Sequence, residues 1–256
     1  MILLGSVPGF EFGGTPYLIE MNKQSALARF KRTAWKPLVT DQEGRQDASK
    51  FSGMPWLNGA EEWPKCPNCH NHLQLFLQLN LSELPTVLLG KFGDGIIQLF
   101  YCTSQNPQCE VECEAFFPFA KSVVVRLIRK ENKPSVVAIP VIENFLPPTL
   151  IIGWQEDYDY PNWEEGDSLG IDMDEIEWEQ LSDEGFPRSG DKLGGWPHWI
   201  QGVEYPDCPE CGDPMRLVFQ IDSNDNLPIE FGDVGCGHIT QCETHKERLA
   251  FGWACG

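Results

Sequence analysis

The chain has 256 residues, of which 41% are hydrophobic and 11% aromatic, enough to bury a sizeable core and to exclude global disorder. Its 38 acidic and 19 basic side chains leave a formal charge of −19, which argues against a protein that coats nucleic acid or anionic membrane, because phosphate binding needs net Lys and Arg. No window is apolar enough for a membrane span and Met1-Ile2-Leu3-Leu4-Gly5 lacks the basic start of a signal peptide, so the expected setting is a reducing cytoplasm.

In chain order, residues 1–49 form an N-terminal segment with a short helix predicted over 23–33, where Leu27 and Phe30 stand three apart. Arg29, Lys31, Arg32 and Lys36 are its only basic strip, and only such a patch would favour RNA. Residues 50–133 form a first β-rich unit with strands predicted over 73–79, 96–101 and 122–128. Residues 134–190 are an acidic connector, with fourteen Asp or Glu and no Lys or Arg between 134 and 187. Within it, 172–181 reads as a short helix with Met173, Ile176 and Leu181 on one side, and the rest reads as loop. Residues 191–256 form a second β-rich unit, with strands predicted over 215–221, 238–241 and 249–253.

The two units repeat each other. Gly53-Met54-Pro55-Trp56 is answered by Gly195-Trp196-Pro197-His198, and Cys66-Pro67-Asn68-Cys69 by Cys208-Pro209-Glu210-Cys211. Gln78, Gly93-Asp94 and Cys102 are then answered in order by Gln220, Gly232-Asp233 and Cys242. The expected fold is α+β but mainly β: an internal duplication of two antiparallel units related by a pseudo-two-fold, each with a Cys-x2-Cys knuckle.

That spacing lets two thiolates meet one tetrahedral ion while turn amides hydrogen-bond to the sulfurs. The second arm of the first site is Cys102 with Cys109 or Cys113. In the second unit it is Cys242 with Cys255, with Cys236 and His245 in competition. The expected ligands are therefore Cys66, Cys69, Cys102 and Cys109, and Cys208, Cys211, Cys242 and Cys255, holding up to two structural zinc ions. A thioredoxin-type redox pair would sit at a helix start, whereas both knuckles run into strand-like sequence. Iron–sulfur ligation lacks the tight Cys clustering it needs. The plain alternative is reduced, buried cysteines.

Other residues carry weaker signals. Trp56, Trp196 and Trp199 either line a peptide groove or pack the strand starts. Gln78 and Gln220 either pair with backbone or flank a ligand cleft between the repeats. Asp94 and Asp233 read as turn residues, and no paired acid–base catalysts, P-loop or nucleophile elbow is present. The acidic connector is either a solvated loop or a landing site for a basic partner.

Taken together, Glu62-Trp63-Pro64-Lys65-Cys66-Pro67-Asn68-Cys69, Leu75-Phe76-Leu77-Gln78-Leu79-Asn80, Leu193-Gly194-Gly195-Trp196-Pro197, Gln220-Ile221-Asp222-Ser223 and Phe251-Gly252-Trp253-Ala254-Cys255 resemble the YwqG-like family of uncharacterised bacterial proteins. A more distant likeness is to programmed cell death protein 2 and its yeast relatives, through the Cys-x2-Cys knuckle and the Phe100-Tyr101-Cys102 arm. The first resemblance implies a duplicated β fold without an established activity. The second implies escort of a basic small-subunit ribosomal protein. The expected function is thus a non-enzymatic, zinc-stapled scaffold or escort for another protein, with a basic, ribosomal-type partner suggested by the acidic balance. The alternative is an enzyme or small-ligand binder with a cleft between the repeats.

Overall fold

The computed structural model describes residues 27–131 and 133–256. Residues 1–31 and 32–256 form two units. Of the first, only 27–31 are described, and there the Phe30 and Lys31 amides close the end of a helix on the carbonyls of Leu27 and Ala28. The helix predicted over 23–33 thus lies largely outside the described residues, and from Arg32 onward the chain is strand instead.

The second unit is mainly β. Its strands are β1 (Arg32–Thr40), β2 (Lys50–Phe51), β3 (Gln74–Asn80), β4 (Ile96–Tyr101), β5 (Val123–Ile128), β6 (Thr149–Asp159), β7 (Lys192–Gly194), β8 (Arg216–Asp222), β9 (Cys236–Gln241) and β10 (Leu249–Ala254). They form one ten-stranded sheet in the order β10-β9-β8-β7-β1-β6-β2-β3-β4-β5, with antiparallel neighbours throughout. The sheet curls until its ends nearly meet, giving a nearly closed, barrel-like form. The Trp253 amide on β10 donates to the Phe116 carbonyl (3.0 Å), and its indole N–H donates to the Tyr101 hydroxyl (3.0 Å). Curling in this way leaves little free sheet edge.

The middle of the sheet is the antiparallel pair β1–β6, which runs from Arg32 opposite Asp159 to Thr40 opposite Leu150. The loop expected over most of the connector is corrected here: residues 149–159 are an eleven-residue strand. The apolar start Thr149-Leu150-Ile151-Ile152 supplies β propensity, and the polar run Gln155-Glu156-Asp157 continues the strand only because β1 pairs with it. On either side of this pair the strands follow matching sequences: β2, β3, β4, β5 outward on one side and β7, β8, β9, β10 on the other.

One core lies across both sides. Phe76 stacks on Tyr101 (4.9 Å), Phe51 meets Phe219 edge-on (5.9 Å), and Phe231, Phe251 and Trp253 complete the aromatic cluster. A register shift between Leu75 and Leu77 changes the buried face along β3. Leu73 and Leu75 therefore pack beside the cysteines, while Leu77 and Leu79 enter the aromatic core. A matching shift between Leu217 and Phe219 places Met215 by the second cysteine set and Phe219 and Ile221 in the core.

Of the connector helices, α2 (Trp163–Ser168) is capped by Asn162. The next, α3 (Glu175–Asp183), has a capping box between Asp174 and Glu177. A single-turn helix, α1 (Cys109–Glu112), lies in the first half. Among the described residues, no helix is long and apolar enough to cross a membrane.

Candidate metal centres

Each Cys-x2-Cys pair sits on a tight hairpin. The Cys66 amide donates to Asn71 O (2.8 Å) and the His70 amide returns to Cys66 O (2.8 Å). In the other hairpin the Cys208 amide donates to Asp213 O (2.9 Å) and the Gly212 amide to Cys208 O (2.8 Å). The closing residue is left-handed in both, His70 at φ 61° and Gly212 at φ 75°. Such a turn aims both sulfurs outward on the same side.

In the first centre, the side chains of Cys66, Cys69, Cys102 and Cys109 converge, all four sulfurs lying within 4.8 Å of one another. Cys66 and Cys109 sulfurs are 3.8 Å apart, and those of Cys69 and Cys102 are 3.6 Å apart. A tetrahedron with metal–sulfur bonds of about 2.3 Å has edges of about 3.8 Å, so the set has the right size for an ion, whereas a disulfide is about 2 Å long. Cys102 arrives from the end of β4, and Cys109 opens α1. The Asn68 side-chain amide donates to the Cys109 sulfur (3.4 Å), an outer contact of the kind that steadies a thiolate. Cys113 ends the same helical turn and packs beside the group without joining it.

The second centre brings together Cys208, Cys211, Cys242 and His245. Cys211 and Cys242 sulfurs are 3.6 Å apart, and His245 Nδ1 stands 3.7 Å from both Cys208 and Cys242 sulfurs. Cys255, expected as the fourth ligand, is elsewhere. It packs against the aromatic core beneath Gly232, where an added Cβ would lie 2.5 Å from its sulfur. Cys236 is buried in β9 and its sulfur faces Ile221 O and His238. His245 was legible as a competitor because it follows Cys242 by three residues. The turn that presents it is held by its own amide on the Cys242 sulfur (3.3 Å). Its Nε2 meets Glu210 Oε2 at 3.3 Å, and this carboxylate orients the ring so that Nδ1 faces the sulfurs.

Without a cation the crowded thiols shift in both directions. Burial pushes the Cys109 thiol up to about 11 and raises that of Cys102 as well. At Cys208 burial acts upward too, but the amides of Cys211 and Glu210, with His245, outweigh it and bring the thiol down to about 6. A metal ion binding such a set displaces the remaining protons.

The other marked residues have structural partners. Gln78 and Gln220 are fully buried. The Gln78 side-chain oxygen accepts from Trp56 N and its amide donates to Gln46 O and Ala48 O. Gln220 accepts from His198 N and donates to Arg188 O and Gly190 O. Each clips a strand start to the sheet, and these bonds are to the main chain. Beside them lie two lysines that sequence reading passed over. Lys50 Nζ pairs with Glu43 (3.0 Å), and Lys192 Nζ with Asp159 Oδ2 (2.7 Å), both ammonium groups being fully buried. Trp196 is buried under the Arg32 guanidinium, and Trp56 is buried near Lys130.

The acidic run divides. Asp159 and Glu165 are buried, Asp159 holding Lys192 and Glu165 accepting from Trp199 Nε1 and Tyr205 OH. Glu156, Asp167, Asp172, Asp174, Glu175, Glu179, Asp183 and Glu184 are exposed.

Sheet and site together define a mainly antiparallel β protein with two hairpin-borne clusters able to hold metal. The chain belongs to a domain family of unknown function, DUF1963, which it matches over residues 49–251. It is also 33% identical over 48 residues to the uncharacterized protein YpfL of Salmonella typhimurium. That match takes in 19% of this chain and spans only 11% of the length of YpfL.

Proposed function

We propose that the protein is a non-enzymatic scaffold, stapled by two structural zinc ions, that binds another protein of basic character. The observation that carries the metal reading is the size of the two clusters, whose 3.6–3.8 Å separations suit tetrahedral thiolate and imidazole ligation. Sulfur-rich sets of this kind favour zinc over harder cations. Cys66, Cys69, Cys102 and Cys109 would hold one ion and Cys208, Cys211, Cys242 and His245 the other. Each ion would tie a hairpin to the end of a strand from β4 or β9, where little apolar surface is buried around the turn itself.

Two further readings accompany this one. The matched strand order on either side of β1–β6, with Lys50 opposite Gln78 and Lys192 opposite Gln220, supports an origin by internal duplication. The exposed carboxylates between 156 and 184 support a basic partner, because a local field of one sign steers association.

The test is metal content per chain by elemental analysis of untagged protein, with thiols titrated before and after chelation. About two zinc ions per chain, with most thiols masked until chelation, is the expected result. Metal-free protein with all ten thiols reactive would overturn the zinc reading.

A further inference from the structure

Two rows of paired residues cross the sheet on its two sides. In the first, Lys50 faces Gln78, Gln78 faces Gln98, and Gln98 faces Arg126. In the second, Lys192 faces Gln220, Gln220 faces His238, and His238 faces Gly252. The rows match over their first two members and then differ twice: His238 stands in place of Gln98, and Gly252 in place of Arg126. In the first row the guanidinium of Arg126 is engaged through two of its nitrogens, while its buried Nη2 has no hydrogen-bond partner among the described residues. Its Nε donates to Gln98 Oε1 (2.9 Å), Nη1 donates to Glu61, and Cζ lies 5.4 Å from the centre of the Phe100 ring.

Gly252 borders a cavity of about 400 Å3, although a Cβ added to the glycine would point at the Phe116 carbonyl, 3.1 Å away, rather than into open space. Its walls include Phe116, Trp199, Tyr205, Trp253, His238 and Glu204. We propose that this cavity receives the guanidinium of an arginine side chain from a partner protein, set among aromatic rings and a carboxylate as Arg126 is beside Phe100 and Glu61 in the other row.

The chemistry of the walls fits a planar cation. Trp199 and Tyr205 stand edge to face at 5.0 Å and are held by the buried Glu165 carboxylate, so their geometry is set before anything binds. Aromatic rings attract guanidinium more than a neutral group of the same shape. Glu204 is an exposed carboxylate on the rim, as Glu61 is a carboxylate partner of Arg126. Thr240 also lines the cavity, and its buried Oγ1 has no hydrogen-bond partner among the described residues. Among the described residues no Lys or Arg lines the space, although the Arg32 guanidinium interacts with Tyr205, and burial brings His238 down to about 3, so its ring adds no opposing charge. The choice of a protein as the source of the arginine rests on the partner-binding role proposed above, but the cavity itself is testable without that partner.

The experiment titrates the full-length, metal-loaded, 15N-labelled protein with Nα-acetyl-L-arginine methylamide and follows the indole N–H signals of Trp199 and Trp253. Saturable shifts at these two signals are expected. The matching citrulline compound should bind about ten-fold more weakly, and Glu204→Gln should weaken the arginine compound about five-fold. No shift at either indole, or an equal response to citrulline, would overturn the proposal. Free L-arginine binding about ten-fold more tightly than the capped form would mark an amino-acid site and overturn the protein source. Tyr205→Leu removes one wall ring and should abolish the saturable shifts. If that variant does not fold, the citrulline and Glu204→Gln arms decide. Because the probe is a single residue, failure here leaves the zinc and acidic-surface readings standing, and their failure leaves this one.

Discussion

At the residue scale the two centres differ in a way that mutation can read. On the proposed zinc reading, His245→Ala should lose about one zinc ion per chain, because it removes an imidazole that lies against two sulfurs. Cys255→Ser should leave zinc content unchanged, since its sulfur lies in the core beneath Gly232. Elemental analysis of both variants checks the pair, and the opposite pattern would restore the all-thiolate set read from sequence. A second residue-scale outcome concerns pH. Asp191 is almost fully buried, and burial, with Asp225 nearby, raises its carboxyl to about 7 although Asp222 and Asn226 donate to it. A folded value above the unfolded one means that the folded state holds the proton more tightly. The stabilisation is complete below about 4 and is lost as pH rises through about 7. Chemical denaturation at pH 5 and pH 8 should show a smaller loss in Asp191→Asn than in the parent protein.

At the scale of elements, β6 is where the reading of sequence and the fold diverge most. Its acidic second half reads as solvated, yet Asp159 ends the strand as the most heavily used carboxylate among the described residues. It accepts from Lys192 Nζ, Trp196 N, Arg188 N and Tyr160 N. The close approach of Gly195 depends on the same group: at φ 74°, an added Cβ there would lie 2.5 Å from Asp159 Oδ2. Asp159→Ala should therefore destabilise the protein by about 3–5 kcal/mol, because it strands the Lys192 ammonium in the interior. Urea denaturation measures this, and a change within surface-substitution range would show that Lys192 finds another partner. The knuckle hairpins, by contrast, were legible because Cys, Pro and Gly fix a turn locally. The β3 strand was legible as an apolar run, but its change of buried face at Leu75 and Leu77 was not, since a bulge depends on the partner strand.

At the scale of the whole molecule, both sides of the sheet share one aromatic core, with Phe51 against Phe219 and Phe76 near Phe231. The exposed carboxylates of 172–184 stand outside that core, so they can be neutralised without disturbing it. Replacing Asp172, Glu175, Glu179, Asp183 and Glu184 by their amides should weaken binding of a basic partner retained on the immobilised protein, and should flatten its salt dependence. Unchanged affinity would remove the charge argument while leaving the metal centres in place.

What the sequence determined by itself follows from short-range chemistry. Two Cys-x2-Cys turns, the apolar strands that follow them, and the ordered matches between the two units are local patterns, readable wherever residue type alone constrains the backbone. Tertiary structure alone decided the rest. It joined β1 to β6 along the polar second half of β6, which carries no strand signal of its own, because pairing supplies the hydrogen bonds that propensity does not. It brought His245 rather than Cys255 to the second cluster, because the path of β10 carries Cys255 into the core instead.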